Sequence, residues 1–206
     1  MSPVKEVCVE SFDEALRAVS AGATRIELCE NLAVGGTTPS FGTIKLCTEE
    51  LAVPFVVMIR PRGGNFRYSK DEFEIMKTDI LQCKKLGVKG VVFGLLNETG
   101  NVDNVNTREL VALANPMQVT FHKAIDQTVD ILKAVTHLKE IGVDRILSSG
   151  GKDTALEGEE TLKRMIQLAS PQLTIIVAGK VSYENFMEVQ EKIPSEEYHG
   201  RRLVLF

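Results

Sequence analysis

Three stretches of the chain repeat one joint: Ala21-Gly22-Ala23-Thr24-Arg25-Ile26-Glu27-Leu28, Leu86-Gly87-Val88-Lys89-Gly90-Val91-Val92-Phe93 and Ile141-Gly142-Val143-Asp144-Arg145-Ile146-Leu147-Ser148. In each, a glycine closes an apolar helical stripe and a strand-like run follows within a few residues. This is the order expected where a left-handed residue ends a helix. Cap signals mark the opposite helix ends. Ser11/Glu14, Ser69/Glu72, Asn106/Glu109 and Thr154/Glu157 have the spacing at which a short polar side chain takes an exposed helix N–H and the glutamate reaches back. A recurring unit of strand, cap, helix and glycine predicts parallel β/α winding.

Strands are expected over residues 5–10, 25–29, 55–60, 90–94, 118–122, 145–148, 174–178 and 197–199. Between 69 and 87, Phe73, Met76, Ile80, Cys83 and Leu86 follow a three-to-four residue rhythm, so one helix face, Cys83 included, should pack on a barrel wall. Eight strands and intervening helices predict an α/β fold of the TIM-like (β/α)8 barrel type, forming one domain over 1–206. Only residues 200–206 follow the eighth strand, so the final helix should be short or absent, and closure of the barrel is left open. A doubly wound open sheet is the structural alternative, although its dinucleotide loop pattern is not evident near the first strand.

Composition removes several function classes. The 206 residues are 44% hydrophobic and 25% charged, enough for one substantial core and too few for two ordinary domains. A net charge of −4 argues against a general nucleic-acid partner. Glu6, Glu10, Asp13 and Glu14 interrupt the first 22 residues where an export signal needs a basic start and an apolar stretch, so a cytoplasmic location is expected. The longest apolar runs, such as residues 55–59, fall far short of the roughly 20 residues of a membrane span. Cys8, Cys29, Cys47 and Cys83 form no CxxC pair, and a reducing compartment leaves them as thiols.

Barrel sites gather at the C-terminal strand ends. Applied here, that rule brings Glu10, Glu27, Arg60, Arg62, His122 and His199 around one mouth. Glu10 and Glu27 are candidate acid/base or substrate-binding groups, or else partners of the arginines. Arg60 and Arg62 flank Pro61 ahead of Gly63 and Gly64, a turn suited to presenting guanidiniums to an anion. Thr120 and His122 should share one strand face, with His122 suited to proton transfer because no histidine trio offers a metal site. Lys123 would then point away, which speaks against Schiff-base chemistry. Ser149, Gly150 and Gly151 after strand six, with Gly179 and Lys180 after strand seven, form candidate anion-binding loops, although ordinary tight-turn geometry explains them too. By the same alternation Cys8, Cys29 and Met58 face inward on neighbouring strands, a sulfur set suited to Cu(I) and equally a set of core fillers.

Taken together, Glu-Val-Cys-Val-Glu-Ser at 6–11, Arg-Ile-Glu-Leu-Cys-Glu-Asn-Leu at 25–32 with Gly-Gly-Thr-Thr-Pro-Ser after it, Met-Ile-Arg-Pro-Arg-Gly-Gly-Asn-Phe at 58–66, Thr-Phe-His-Lys-Ala-Ile-Asp at 120–126 and Arg-Ile-Leu-Ser-Ser-Gly-Gly at 145–151 resemble the CutC copper-homeostasis family. The resemblance runs in order along nearly the whole chain. It implies a cytoplasmic TIM-like barrel associated with copper homeostasis, without an assigned catalytic activity. It also implies roles for Glu10, Arg25, Glu27, Asn31, Arg60, Arg62, His122, Asp126 and His199, with Cys8 and Cys29 in copper contact. Lys123 stands where arginine is common in the family, and the Arg201–Phe206 ending departs from its pattern. The competing expectation is a cofactor-independent enzyme, or a binding protein, for a small phosphorylated or carboxylated metabolite at the barrel mouth. Oligomeric state leaves no trace in the sequence.

Overall fold

The computed structural model describes residues 2–206. Its strands are β1 (Val4–Val9), β2 (Arg25–Leu28), β3 (Phe55–Met58), β4 (Gly90–Phe93), β5 (Gln118–Phe121), β6 (Arg145–Ser148), β7 (Thr174–Val177) and β8 (Glu197–His199). Its α-helices are α1 (Phe12–Ser20), α2 (Phe41–Glu50), α3 (Lys70–Leu86), α4 (Asn104–Ala114), α5 (Ile131–Ile141), α6 (Glu159–Ala169) and α7 (Phe186–Lys192), with short 3₁₀ turns at Leu32–Val34 and Lys123–Gln127. The strands pair in sequence order as a closed parallel barrel, and β8 returns to β1 through Val4↔Glu197, Lys5↔Tyr198 and Glu6↔His199. Closure rules out the open sheet. No helix follows β8 among the described residues.

Local signals account for most element ends. Gly22, Gly87 and Gly142 adopt φ values of 100°, 78° and 91°, a region that costs glycine little and an L side chain more. Ser69 and Glu72 form a reciprocal capping box at α3. At α1, Ser11 accepts from the Glu14 N–H, but the Glu14 carboxylate reaches past it to the Glu10 N–H at 2.9 Å. Two expected caps shift. Asp103 caps α4 by accepting from the Asn106 N–H at 3.1 Å and from its side-chain amide at 2.7 Å, so Asn106 lies inside the helix. Thr154 and Glu157 make their reciprocal bonds, but these close a turn ahead of α6.

Alternation divides the strand residues between two environments. Val7, Ile26, Val57 and Val91 pack outward in the main core beneath the helices, where Met76, Ile80 and Cys83 supply the buried face of α3. Cys8, Cys29, Val56, Met58 and Val92 form a separate interior cluster. The N-terminal part of the barrel interior is ionic. Arg25 binds Glu6 through Nε at 2.5 Å and pairs with Glu197 through Nη2, while Arg145 Nε reaches Glu197 at 3.0 Å and its Nη1 reaches Gln118 Oε1 at 2.8 Å. Charges buried this deeply cost several kcal/mol each unless paired, and here two guanidiniums face two carboxylates. Burial alone would raise the Glu6 carboxyl, but the hydrogen bond to His199 and the charge of Arg25 outweigh it and hold it at about 2.

Removing one member should expose the dependence. Arg25→Met leaves Glu6 and Glu197 facing each other without their shared cation and is expected to cost roughly 3–5 kcal/mol in urea unfolding. Arg17→Met, which removes an exposed pair with Asp13 and a guanidinium lying over the Phe206 ring at the surface, should stay within about 0.5 kcal/mol of the parent. Equal effects would mean that the ionic interior does not hold the barrel together.

Candidate functional site

Above the ionic layer, β1, β2 and β8 bring together one thiol, one carboxylate and one imidazole. Register sets Cys8 beside Glu27 and Glu6 beside His199, so all four side chains project inward from adjoining strands. Donor atoms of Cys8, Glu27 and His199 lie within 4.8 Å of one another, a grouping able to hold a metal ion. His199 Nδ1 is 2.8 Å from Glu6 Oε1, which turns Nε2 toward Glu27 Oε2 at 3.9 Å. Burial would lower the His199 pKa, but Glu27, Cys8 and Glu6 overcome it and hold it well above the ordinary value. Burial raises Glu27 against the opposing charge of His199, with the Glu6 charge adding to the rise, and Glu27 Oε1 has no hydrogen-bond partner among the described residues. Cys29 donates to Glu27 Oε2 at 3.4 Å, and burial pushes its thiol well up. Met58 and Leu32 pack on the two cysteines.

The other residues expected at the mouth separate into distinct tasks. Glu10 accepts from the Leu32 N–H at 2.7 Å and from Arg201 at 3.2 Å, tying the β2–α2 loop to the C-terminal segment instead of facing Glu27. Asn31 opens that loop in the left-handed region at φ 55°. Arg60 is buried and donates to the carbonyls of Val34, Gly36 and Gly64, each at 2.9 Å, while its plane lies over Phe66. Arg62 binds Glu72 at 2.5 Å and the carbonyls of Gly63, Asn65 and Arg67. Neither guanidinium pairs with Glu10 or Glu27. Both sew loops together.

His122 points inward, and its Nδ1 accepts from the Ala124 N–H at 3.2 Å, so the neutral ring carries its proton on Nε2. That Nε2 and Arg60 Nε are buried donors without a partner among the described residues. Burial, and secondarily Arg60, lowers the His122 pKa to about 3. Gly94 makes room for the ring, since a Cβ there would stand 2.6 Å from His122 Cε1.

The Ser-Gly-Gly loop already holds an anion. Asp126 accepts from the N–H groups of Ser149 at 3.1 Å and Gly151 at 2.9 Å, and from Ser148 Oγ at 2.5 Å. Lys123 was expected to point away from the mouth. The strand ends at Phe121 and the chain turns into a 3₁₀ helix, so alternation no longer applies, and Lys123 Nζ donates to Ser149 Oγ at 2.6 Å from the wall of a cavity. This cavity, about 630 Å³, lies over the ends of β7 and β8 and is also lined by Gly179, Lys180, His199, Arg201 and Arg202. His199 therefore belongs both to the inner cluster and to the cavity wall. Sequence reasoning passed over Glu6, Glu197 and Arg145 as well as Arg201 and Arg202. For the first three the signal was available, because Glu6 shares parity with Cys8 and Glu197 with His199, and Arg145 is the one charged residue of its strand.

The CutC family model matches residues 4–203. A human protein named copper homeostasis protein cutC homolog is 41% identical over 194 residues, covering 94% of this chain and 71% of the relative. A CutC family protein of Mesorhizobium japonicum is 42% identical over 197 residues, covering 96% and 76%. The crystal structure of CutC from Streptococcus agalactiae superposes with a TM-score of 0.93 at 33% identity, covering 98% of this chain and 100% of that one.

The buried His122 gives a measurable pH dependence. Its folded pKa lies below its ordinary value, so the unfolded chain binds the extra proton as pH falls below 6.5 and the native state loses stability over that window. Urea unfolding of the parent and of His122→Gln should therefore converge as pH is lowered from 6.5 toward 4.5, by at most about 1.4 kcal/mol per pH unit, with other titrations cancelling in the difference. A pH-independent difference would show that His122 takes up its proton in the folded state as readily as in the unfolded chain.

Proposed function

The chain belongs to the CutC family, and from that membership we propose that it is a copper-homeostasis protein that holds Cu(I) inside the barrel mouth. The observation that carries the reading is the convergence of Cys8, Glu27 and His199 donors within 4.8 Å, with Cys29 and Met58 packed beside Cys8. Thiolate, thioether and imidazole are the donors that a soft monovalent ion prefers. The partnerless Glu27 Oε1 is an acceptor that a cation in the cluster would satisfy. Cys8 would ligate as thiolate and His199 as neutral imidazole, so uptake would release protons. Glu6 would keep the imidazole oriented through Nδ1, as outer partners of metal ligands commonly do. The human relative carries copper homeostasis in its name. The presence of a carboxylate among the donors favours Zn(II) as the second reading, because zinc accepts cysteine, histidine and glutamate together.

Anaerobic titration against a chromophoric Cu(I) chelator tests both. A single Cu(I) is expected per chain, with Cys8→Ser weakening it by about ten-fold or more, the loss of one strong ligand. Cys47→Ser and Cys83→Ser, in helices outside the barrel interior, should leave affinity unchanged. Cu(I) affinity unaffected by Cys8→Ser would remove the proposed site, and preferential retention of Zn(II) would select the second reading.

A further inference from the structure

The protein is acidic as a whole, with a formal charge of −4. The cavity over β7 and β8 runs against that balance, because Lys123, Lys180, Arg201 and Arg202 line it against Asp153 and Glu184. Three of the cations have partners that an incoming anion could displace or share. Arg201 meets Glu10 at 3.2 Å, Arg202 meets Glu184 at 3.6 Å, and Lys123 meets Asp126 at 3.4 Å. The arginine side chains are 56% and 68% exposed, and pairs at such exposure contribute little. Lys180 has neither an ion pair nor a side-chain hydrogen bond among the described residues. It follows Gly179 at φ 102° and itself stands at φ 55°, an uncommon conformation for a lysine. The N–H groups of Gly179 and Lys180 find no protein acceptor among the described residues.

Backbone donors and cations after the seventh and eighth strands are the place where barrels of this type commonly hold phosphate. The neighbouring loop cannot do so here, since Asp126 already fills the N–H groups of Ser149 and Gly151. A volume of about 630 Å³ also exceeds what a lone phosphate needs and falls among ordinary small-ligand cavities.

We propose that this cavity binds a small phosphomonoester. Its phosphate is held by Lys180, the Gly179 and Lys180 N–H groups and the two arginines, and its organic part extends toward Lys123 and His199. Several donors converging on peripheral oxygens suit a phosphate dianion better than a carboxylate. The inference goes beyond the metal reading and does not depend on it.

The test is calorimetric titration of the metal-free full chain with glycerol 3-phosphate, inorganic phosphate and glycerol. Glycerol 3-phosphate should bind more tightly than inorganic phosphate, and glycerol should give no heat. Lys180→Glu should weaken the ester by about ten-fold or more, whereas Lys89→Glu, before β4 on the opposite barrel face, should not. Equal affinity for inorganic phosphate would overturn the ester assignment. No binding up to roughly 10 mM, where a site with a Kd of about 1 mM would be nearly filled, would overturn the site itself, as would full affinity in Lys180→Glu. Cu(I) affinity of Lys180→Glu is measured separately and should equal that of the parent, so failure of one reading leaves the other standing.

Discussion

The arrangement depends on the buried chain of charges that runs from Arg145 through Glu197, Arg25 and Glu6 to His199, with the exposed Gln118 amide at its outer end. An apolar filling of the same volume could be as stable, because ion pairs repay little more than their desolvation. What the charges add is directional. Arg25 on β2 grips Glu6 on β1 and Glu197 on β8 with different nitrogens, so three strands are held in one relative register. β8 is only three residues long and has no helix behind it among the described residues. Both of its inward side chains, Glu197 and His199, are anchored in this chain.

The same chain sets the chemistry above it. Glu6 takes the Nδ1 side of His199, leaving Nε2 directed at Glu27 and the thiol of Cys8 nearby. Two carboxylates and an imidazole then interact in a place where water cannot easily screen them. That explains why Glu6 and Glu27, two glutamates on adjacent strands, move in opposite directions. Both are buried, and the charges of His199 and Arg25 lower both, but Glu6 is hydrogen-bonded directly to those two groups, whereas Glu27 lies 3.9 Å from His199 and has the Glu6 charge against it. A cation entering the cluster would meet an oriented ring and an unsatisfied carboxylate oxygen.

Much of this was legible in the sequence wherever a local rule governs. Gly22, Gly87 and Gly142 announced helix ends because their backbone must turn left-handed, and strand alternation placed Cys8, Glu27, Met58 and His122 inside the barrel. The barrel's closure was less visible, since the pairing of β8 with β1 joins residues nearly 200 positions apart. Arg60 and Arg62 looked available for an anion because their acceptors are mostly main-chain carbonyls, which carry no sequence signature. Asp126 could not be seen to fill the Ser-Gly-Gly loop, as that contact spans two loops. Alternation misplaced Lys123 because it was carried two residues beyond the strand, which ends at Phe121, and into a 3₁₀ helix.

The two halves of the mouth differ for a physical reason. Over β2 to β5, Arg60 draws the carbonyls of Val34, Gly36 and Gly64 onto one guanidinium, and Phe66 lies between that group and His122. A single side chain thereby joins two loops, one of which packs on the cysteine cluster through Leu32 and comes close to Cys29 at Gly36. Over β7 and β8 no guanidinium gathers carbonyls in this way among the described residues; Asn185 takes the Ser182 N–H and donates to the Lys180 carbonyl, and the backbones also pack closely. Gly200 packs so tightly on the Val181 carbonyl that any Cβ would collide with it, and a Cβ at Gly179 would stand 2.8 Å from the Ala155 nitrogen. Glycine at these positions fixes the loops while leaving the space above them open. His199 is the member of the Cys8, Glu27 and His199 cluster that also lines this cavity, so the cluster and the cation-lined space meet at its imidazole.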